Sequence, residues 1–153
     1  MRLILLLLMA CHDKGAGPGG STDDHYEVVS DEITGGVILS AWSDGDSLRM
    51  VGGDLGGGPG LMLSGDPGAL CVESAITDRA LWWIHGDRPG HWVAVGEAGR
   101  VLRSTDGVRE RMDIPTDATL FGVWVTGDEI WAAGGHIGSG QNDGEIWRWA
   151  GTE

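Results

Sequence analysis

The sequence predicts an all-β fold assembled from about three four-stranded repeats, and three observations lead there. A five-residue pattern, Trp-x-x-Gly-Asp, occurs at Trp42–Asp46, Trp83–Asp87 and Trp124–Asp128, with 41 residues from each copy to the next. Every copy is followed by the same succession of short apolar strings and glycine-bearing turns. The chain is also rich in Gly (28 of 153 residues) and Trp (8) and has no long helical periodicity, a composition that suits many short strands joined by tight turns.

Taken in order, each unit opens on its Trp-bearing string and turns at Gly-Asp. A second string ends in Gly: Leu48 to Gly52, Trp92 to Gly96 and Ile130 to Gly134. A Gly-led third string follows at Gly60 to Leu63, Gly99 to Leu102 and Gly144 to Trp147. Polar turns come next, at Ser64-Gly65-Asp66 and Ser104-Thr105-Asp106-Gly107, with a degenerate Ala150-Gly151 in the last unit. Leu70 to Ile76 and Val108 to Ile114 then supply fourth strings. Strands of roughly 5–6 residues and hairpin loops of roughly 2–5 fill such a period. A period of about 40–45 residues with four strands per unit points to β-propeller blades, here near residues 37–77, 78–116 and 117–153. Trp42, Trp83 and Trp124 are expected on the innermost strands, filling the gaps between neighbouring blades.

Three units fall short of the four to eight blades propellers typically hold, and the third has no fourth string. An orphan string, Tyr26 to Val29, stands at roughly a fourth-strand spacing ahead of Trp42. The propeller is therefore expected to be partial, either truncated or completed by oligomerisation as a head-to-tail homodimer. Edges left unpaired would otherwise invite aggregation.

The first residues carry an address. Arg2 precedes an apolar run, Leu3 to Met9, which is too short to span a bilayer and has the shape of a secretory signal. Leu8-Met9-Ala10-Cys11 resembles the lipobox of bacterial lipoproteins. That resemblance implies cleavage before Cys11, removing residues 1–10, and acylation of Cys11, whose several chains would anchor it stably. The address is then a bacterial cell envelope, membrane-anchored and facing periplasm or exterior. Residues 11–25, Gly-rich and without a large apolar side chain from His12 to Asp24, read as a flexible tether, and 26–153 as the repeat domain. With Cys11 acylated, Cys71 is left as a small buried hydrophobe and no disulfide is expected.

Ser64-Gly65-Asp66-Pro67-Gly68 resembles the Asp box of bacterial neuraminidase-type (BNR) repeats. Trp92 to Gly107 is similar to the blades of photosystem II assembly factor-type propellers. The resemblance implies that Asp66 and Asp106 are structural, accepting backbone hydrogen bonds in their own hairpins. It does not bring catalysis with it. The sole Tyr, Tyr26, lies beside the tether, and no spaced Arg triad of the sialidase kind is visible.

The remaining candidates are read as structural. Gly52 to Gly60 lacks the Lys and Ser/Thr of a phosphate-binding loop and reads as a long hairpin turn, matched by Ile137 to Gly144. His85, His91 and His136 fit no zinc spacing and read as exposed turn residues. The Asp44–Asp46 and Asn142–Glu145 carboxylates lack an EF-hand pattern, so no metal and no cofactor is assigned. A net charge of −13 excludes a nucleic-acid surface, which needs basic patches. The expected function is a lipid-anchored binding or scaffolding module for a protein or glycan ligand, not an enzyme. The alternative is a fragment or divergent relative of an Asp-box glycan hydrolase.

Overall fold

The computed structural model describes residues 10–11, 33–66, 68–138, 140 and 143–151. It is all-β, with three antiparallel sheets following one another along the chain. Sheet 1 holds β1 (Ala10–Cys11), β2 (Val37–Ser43), β3 (Leu48–Gly53), β4 (Gly60–Asp66) and β5 (Ala69–Thr77), in the order β1-β5-β4-β3-β2. Sheet 2 is the meander β6 (Leu81–Arg88), β7 (His91–Gly96), β8 (Val101–Thr105) and β9 (Val108–Arg111). Sheet 3 has β10 (Thr119–Thr126), β11 (Glu129–Gly135) and β12 (Gly144–Trp149). Among the described residues it has no fourth strand. The strings read from sequence are thus strands, within three residues at either end, Val108 to Ile114 shortening to β9. Among the described residues the sheets do not close into a ring.

Hairpin geometry follows the turn residues. Asp106 (φ 51°) and Gly107 (φ 81°) join β8 to β9 with Thr105 opposite Val108; positive φ at both central positions is what a type I′ hairpin turn requires. Between Gly53 and Gly60 the chain makes the long turn expected of it. There Asp54 accepts from the Gly56 N–H at 2.9 Å, and its own N–H donates to Pro59 O at 3.1 Å.

A structural repeat is written into the second strands. Gly52, Gly96 and Gly134 lie opposite Ile38, Leu81 and Leu120, and in each case the first strand bulges at the next step. A Cβ on these glycines would stand 1.7 Å from Val37 O, 2.1 Å from Ala80 O and 2.1 Å from Thr119 O. The bulge brings the neighbouring carbonyl so close that only glycine fits.

The sheets stack in chain order, β6 lying against β2 and β3 on one side and against β10 on the other. Between sheets 1 and 2, Val51 and Met62 pack with Leu81, Ile84, Trp92, Ala94 and Leu102. Between sheets 2 and 3, Val93, Val95 and Val101 pack with Leu120, Val123, Val125, Ile130 and Ala132. Every residue of β7 is buried, as befits a strand covered on both faces.

Two N-terminal expectations need correction. Ala10 and Cys11 pair with Val72 and Cys71 on the outer edge of sheet 1 rather than standing apart from the fold; an open edge offers unpaired N–H and C=O groups to any nearby strand. Cys71 is half-buried and disulfide-bonded, not a buried free thiol. Tyr26 to Val29 lies outside the described residues, so the orphan string has no assigned place.

Gly96→Ala should cost about 2 kcal/mol or more, because the clash is with backbone and the first strand must move. Gly122 is the control, since a Cβ added there would meet nothing within 4 Å: Gly122→Ala should change the denaturant midpoint little. Equal effects at both positions would contradict the bulge argument.

Candidate functional site

The repeated motif residues do not share one structural position. Counted along the ladder from Gly52, Gly96 and Gly134, Trp42 pairs with Arg49, His85 with Val93 and Trp124 with Trp131. His85, not Trp83, is therefore the middle unit's counterpart of the two tryptophans, and Trp83 falls two places short. Trp42 does pack between sheets, against the cluster that holds Ile84 and Trp92 and close enough over Gly86 to exclude a Cβ there. Trp83 is 47% exposed and Trp124 57% exposed, so neither fills an inter-sheet gap as expected. The offset arises ahead of β6: the equivalent positions Ile38, Leu81 and Leu120 are 43 and 39 residues apart, so a tryptophan spaced evenly at 41 falls two places early in the middle sheet.

The aspartates diverge too. Asp46 is exposed; the turn there is held by Asp44, which accepts from the N–H groups of Asp46 and Ser47. Asp66 and Asp128 are exposed. At the Asp106 turn the hydrogen bonds come from Ser104 Oγ and the Gly107 N–H, both to Gly90 O, at 2.9 and 3.3 Å. Asp106 contributes its left-handed backbone rather than the expected acceptor. Of Cys11 only the backbone is described.

Asp87 is the exception, and it sits at the junction of sheets 2 and 3. Its carboxylate accepts from His91 Nδ1 at 2.5 Å and from the Gly127 N–H at 2.6 Å. Burial works to raise its pKa, but the hydrogen bonds from His91 and Gly127 outweigh that and hold it below the usual carboxylate value. His91 is 1% exposed and His85 is half-buried, which corrects the reading of both as exposed turn residues. They lie on β6 and β7, with His91 folded under the Pro89-Gly90 turn. His85 Nδ1 accepts from the Val125 N–H at 3.1 Å, and its ring stacks on Trp124 with centroids 4.3 Å apart. Nδ1 must be unprotonated to accept, so the neutral ring carries its proton on Nε2. Burial depresses the His85 pKa below its ordinary value, partly offset by the charge of Asp87.

A second inter-sheet tie escaped the sequence reading. Glu73 on β5 is 3% exposed and takes both guanidinium nitrogens of Arg109 on β9, at 2.5 and 2.9 Å. Ser64 Oγ adds a donor at 3.4 Å, and the guanidinium stands 5.8 Å from the Trp92 ring centroid. The Arg109 hydrogen bond, with its charge, holds Glu73 below the usual carboxylate range despite burial. No local motif announces a pair 36 residues apart.

An open concavity lies between residues of sheets 2 and 3. Arg103, Glu110, Met112, Asp128, Trp149 and Gly151 line a crevice of about 510 Å³. The Arg103 guanidinium covers the Trp149 ring at 4.5 Å and faces Glu110 at 3.7 Å. Through Met112 and Trp149 the crevice continues into an apolar groove of about 210 Å³ that also has Ile114, Pro115 and Trp147 in its walls. Trp147 Nε1 donates to Glu145 at 2.8 Å. An aromatic floor with a cation, two carboxylates and an adjoining apolar slot can hold an extended polar ligand by stacking and hydrogen bonds.

His136 stands apart, bonded through Nδ1 to Asp143 at 2.9 Å and through Nε2 to Asp117 at 2.8 Å. The hydrogen bonds to Asp117 and then Asp143 raise its pKa. Both ring nitrogens are thus taken up by carboxylates. Among the described residues no group of three or more His, Cys, Asp or Glu is arranged to hold a metal ion; Asn142 lies outside them.

Two outcomes are expected. Because the folded pKa of His85 lies below its unfolded one, its contribution is complete above the unfolded pKa and is lost as pH falls. His136, raised, has the opposite sign: its contribution is lost as pH rises through the folded pKa. In a His136→Asn background, stability should therefore decline from about pH 7 to about pH 5, and His85→Phe should flatten that decline, as read by urea unfolding. Arg109→Met should cost on the order of 2 kcal/mol, below the usual figure for breaking a buried pair because Arg109 is 35% exposed. Glu73→Leu/Arg109→Met should recover most of the loss; no recovery would refute the pairing.

No protein-family model, no curated protein and no solved structure matches this chain.

Proposed function

We propose that the protein is a lipid-anchored component of a bacterial cell envelope, whose sheets are propeller-type blades, and that it acts as a binding module through the Trp149 crevice. The observation that carries the reading is the crevice itself: an aromatic face under a guanidinium, opening between two sheets that are otherwise tightly joined. Loop and strand-end residues on a rigid β scaffold are the usual place for recognition. A glycan suits the site best, since a sugar ring can take the place of the Arg103 guanidinium on Trp149 while Arg103, swung aside, joins Glu110 and Asp128 on the hydroxyls; an extended peptide is the alternative ligand. Fold alone does not decide between them.

The glycan-hydrolase reading draws on one feature, the two carboxylates Glu110 and Asp128 in the same crevice. A general acid needs a carboxyl kept protonated by a sheltered environment. Glu110 is 59% exposed and faces Arg103, and Asp128 is exposed. Binding without turnover is the better account.

The anchor makes a separate demand. An acylated Cys11 has no thiol, and the chain has only one other cysteine, Cys71. Acylation of Cys11 and a disulfide between the two cannot coexist in one molecule, so the anchored form is distinct from the disulfide-bonded form described above.

Titration with a panel of oligosaccharides should change tryptophan fluorescence in the native chain, and Trp149→Ala should weaken binding at least tenfold, as removal of a stacking anchor does. Release of chromophore from aryl glycosides would overturn the binding-module reading. Mass spectrometry of the membrane-extracted chain should find an N-terminal peptide that begins at Cys11 and carries acyl chains. Recovery of that peptide linked to the Cys71 peptide would overturn the anchor.

A further inference from the structure

The tryptophans of this chain follow a pattern, and two of them stand outside it. Four carry an arginine over the ring: Arg49 over Trp42 at 5.8 Å, Arg109 over Trp92 at 5.8 Å, Arg148 over Trp131 at 5.3 Å and Arg103 over Trp149 at 4.5 Å. Two more are engaged otherwise. Trp82 packs edge-on against Phe121 with ring centroids 5.2 Å apart, and Trp147 donates its Nε1 proton to Glu145. Trp83 and Trp124 remain, the most exposed of the eight at 47% and 57%. Among the described residues no cation lies over either ring, although a bare indole face attracts one.

Both rings stand on one seam. β6 and β10, the first strands of sheets 2 and 3, lie against each other without sharing a ladder. Trp83 and His85 share a face of β6 two places apart, about 7 Å along the strand. The His85 ring covers one face of Trp124, with centroids 4.3 Å apart, and leaves the other face open. His85 accepts the Val125 N–H through Nδ1, so that ring is neutral and sets no positive charge beneath Trp124. Asp87 lies near enough for its charge to act on His85, and it holds the Arg88 guanidinium at 3.2 Å. The seam thus offers two bare aromatic faces around a neutral ring, with a carboxylate beside them.

Charge identifies the occupant. The chain carries 23 Asp and Glu against 10 Lys and Arg, a net charge of −13, and such a field draws cations and repels anions. Among protein cations the guanidinium is planar, weakly hydrated and stacks flat on an aromatic ring. It is also the group this chain sets on its own tryptophans. We propose that the Trp83–Trp124 seam is a docking site for an arginine-bearing segment of a partner protein, each ring taking one guanidinium. Neither tryptophan lines the crevice at Trp149, and the inference is independent of the anchor and of the crevice ligand.

The test titrates the full chain, solubilised in detergent, with acetyl-tetra-arginine amide, reading tryptophan fluorescence and the heat of binding. Tetra-lysine and tetra-citrulline peptides are the comparisons: lysine keeps the charge without the plane, and citrulline keeps the plane without the charge. Arginine should bind tightest, with lysine about fivefold and citrulline about tenfold weaker. Trp83→Ala and Trp124→Ala should each weaken arginine binding about threefold, and together about tenfold. The peptide comparison uses the native chain and so stands whether or not the variants fold. Equal binding of the arginine and lysine peptides, or undiminished arginine binding in a folded double variant, would reduce the effect to attraction by net charge and overturn the proposal. Citrulline binding as well as arginine would assign the seam to a neutral ligand, and no arginine binding at all would leave it without the proposed partner; either result overturns it too.

Discussion

The stack depends on a middle sheet with no solvent face along β7. From His91 to Gly96 every residue is buried, with Trp92 and Ala94 turned to sheet 1 and Val93 and Val95 turned to sheet 3. A strand covered on both sides cannot alternate polar with apolar residues, and this one does not. Side chains of this size contribute about 1.5–3 kcal/mol each when fully buried. Sheet 3 has no such cover on its outer face, where Ile146 is 77% exposed, and it relies on sheet 2 for its core; sheet 1 also buries Leu61 and Leu63 on the face turned away from sheet 2.

Polar ties then fix how the sheets are rotated on that apolar contact. Asp87 reaches across to the Gly127 N–H, His85 to the Val125 N–H, and the Ile84 N–H to Ser40 Oγ at 3.3 Å. At the outer rim Glu73 and Arg109 clasp sheets 1 and 2. Apolar packing is non-directional, whereas a hydrogen bond to a backbone N–H has one geometry. The ties therefore fix the register of sheet 3 on sheet 2, and with it the walls of the crevice at Trp149. Structure and candidate function are linked at that point: loosening the His85 junction should alter the crevice before it unfolds the core.

Much of this was legible in the sequence. The glycine that ends each second string marked a real constraint, since three carbonyls crowd those three positions. The order of strands β2 to β12 also followed from the strings and turns, while β1 was not foreseen. The Trp-x-x-Gly-Asp spacing, by contrast, misled at Trp83. Equal spacing in sequence is equal spacing in structure only when the units are equally long, and here the equivalent first-strand positions Ile38, Leu81 and Leu120 are 43 and 39 residues apart. The candidate site was legible only in part: Trp149 and Arg103 lie on strands of different units, and nothing local couples them. His91 looked like a turn residue because it follows Pro89-Gly90, yet the turn folds it inward onto Asp87. Cys71 was misjudged because its pairing partner strand lies far off in sequence.

Amide hydrogen exchange tests the central claim most directly. If sheet 2 is the shared core, the amides of Ile84, Ala94 and Val95 should exchange slowest in the chain, near the rate set by global unfolding. Those of β9 and β12, at the outer edges, should exchange much faster. Three sheets with independent protection levels, or a sheet 1 or sheet 3 more protected than β7, would contradict an account in which the middle sheet holds the other two.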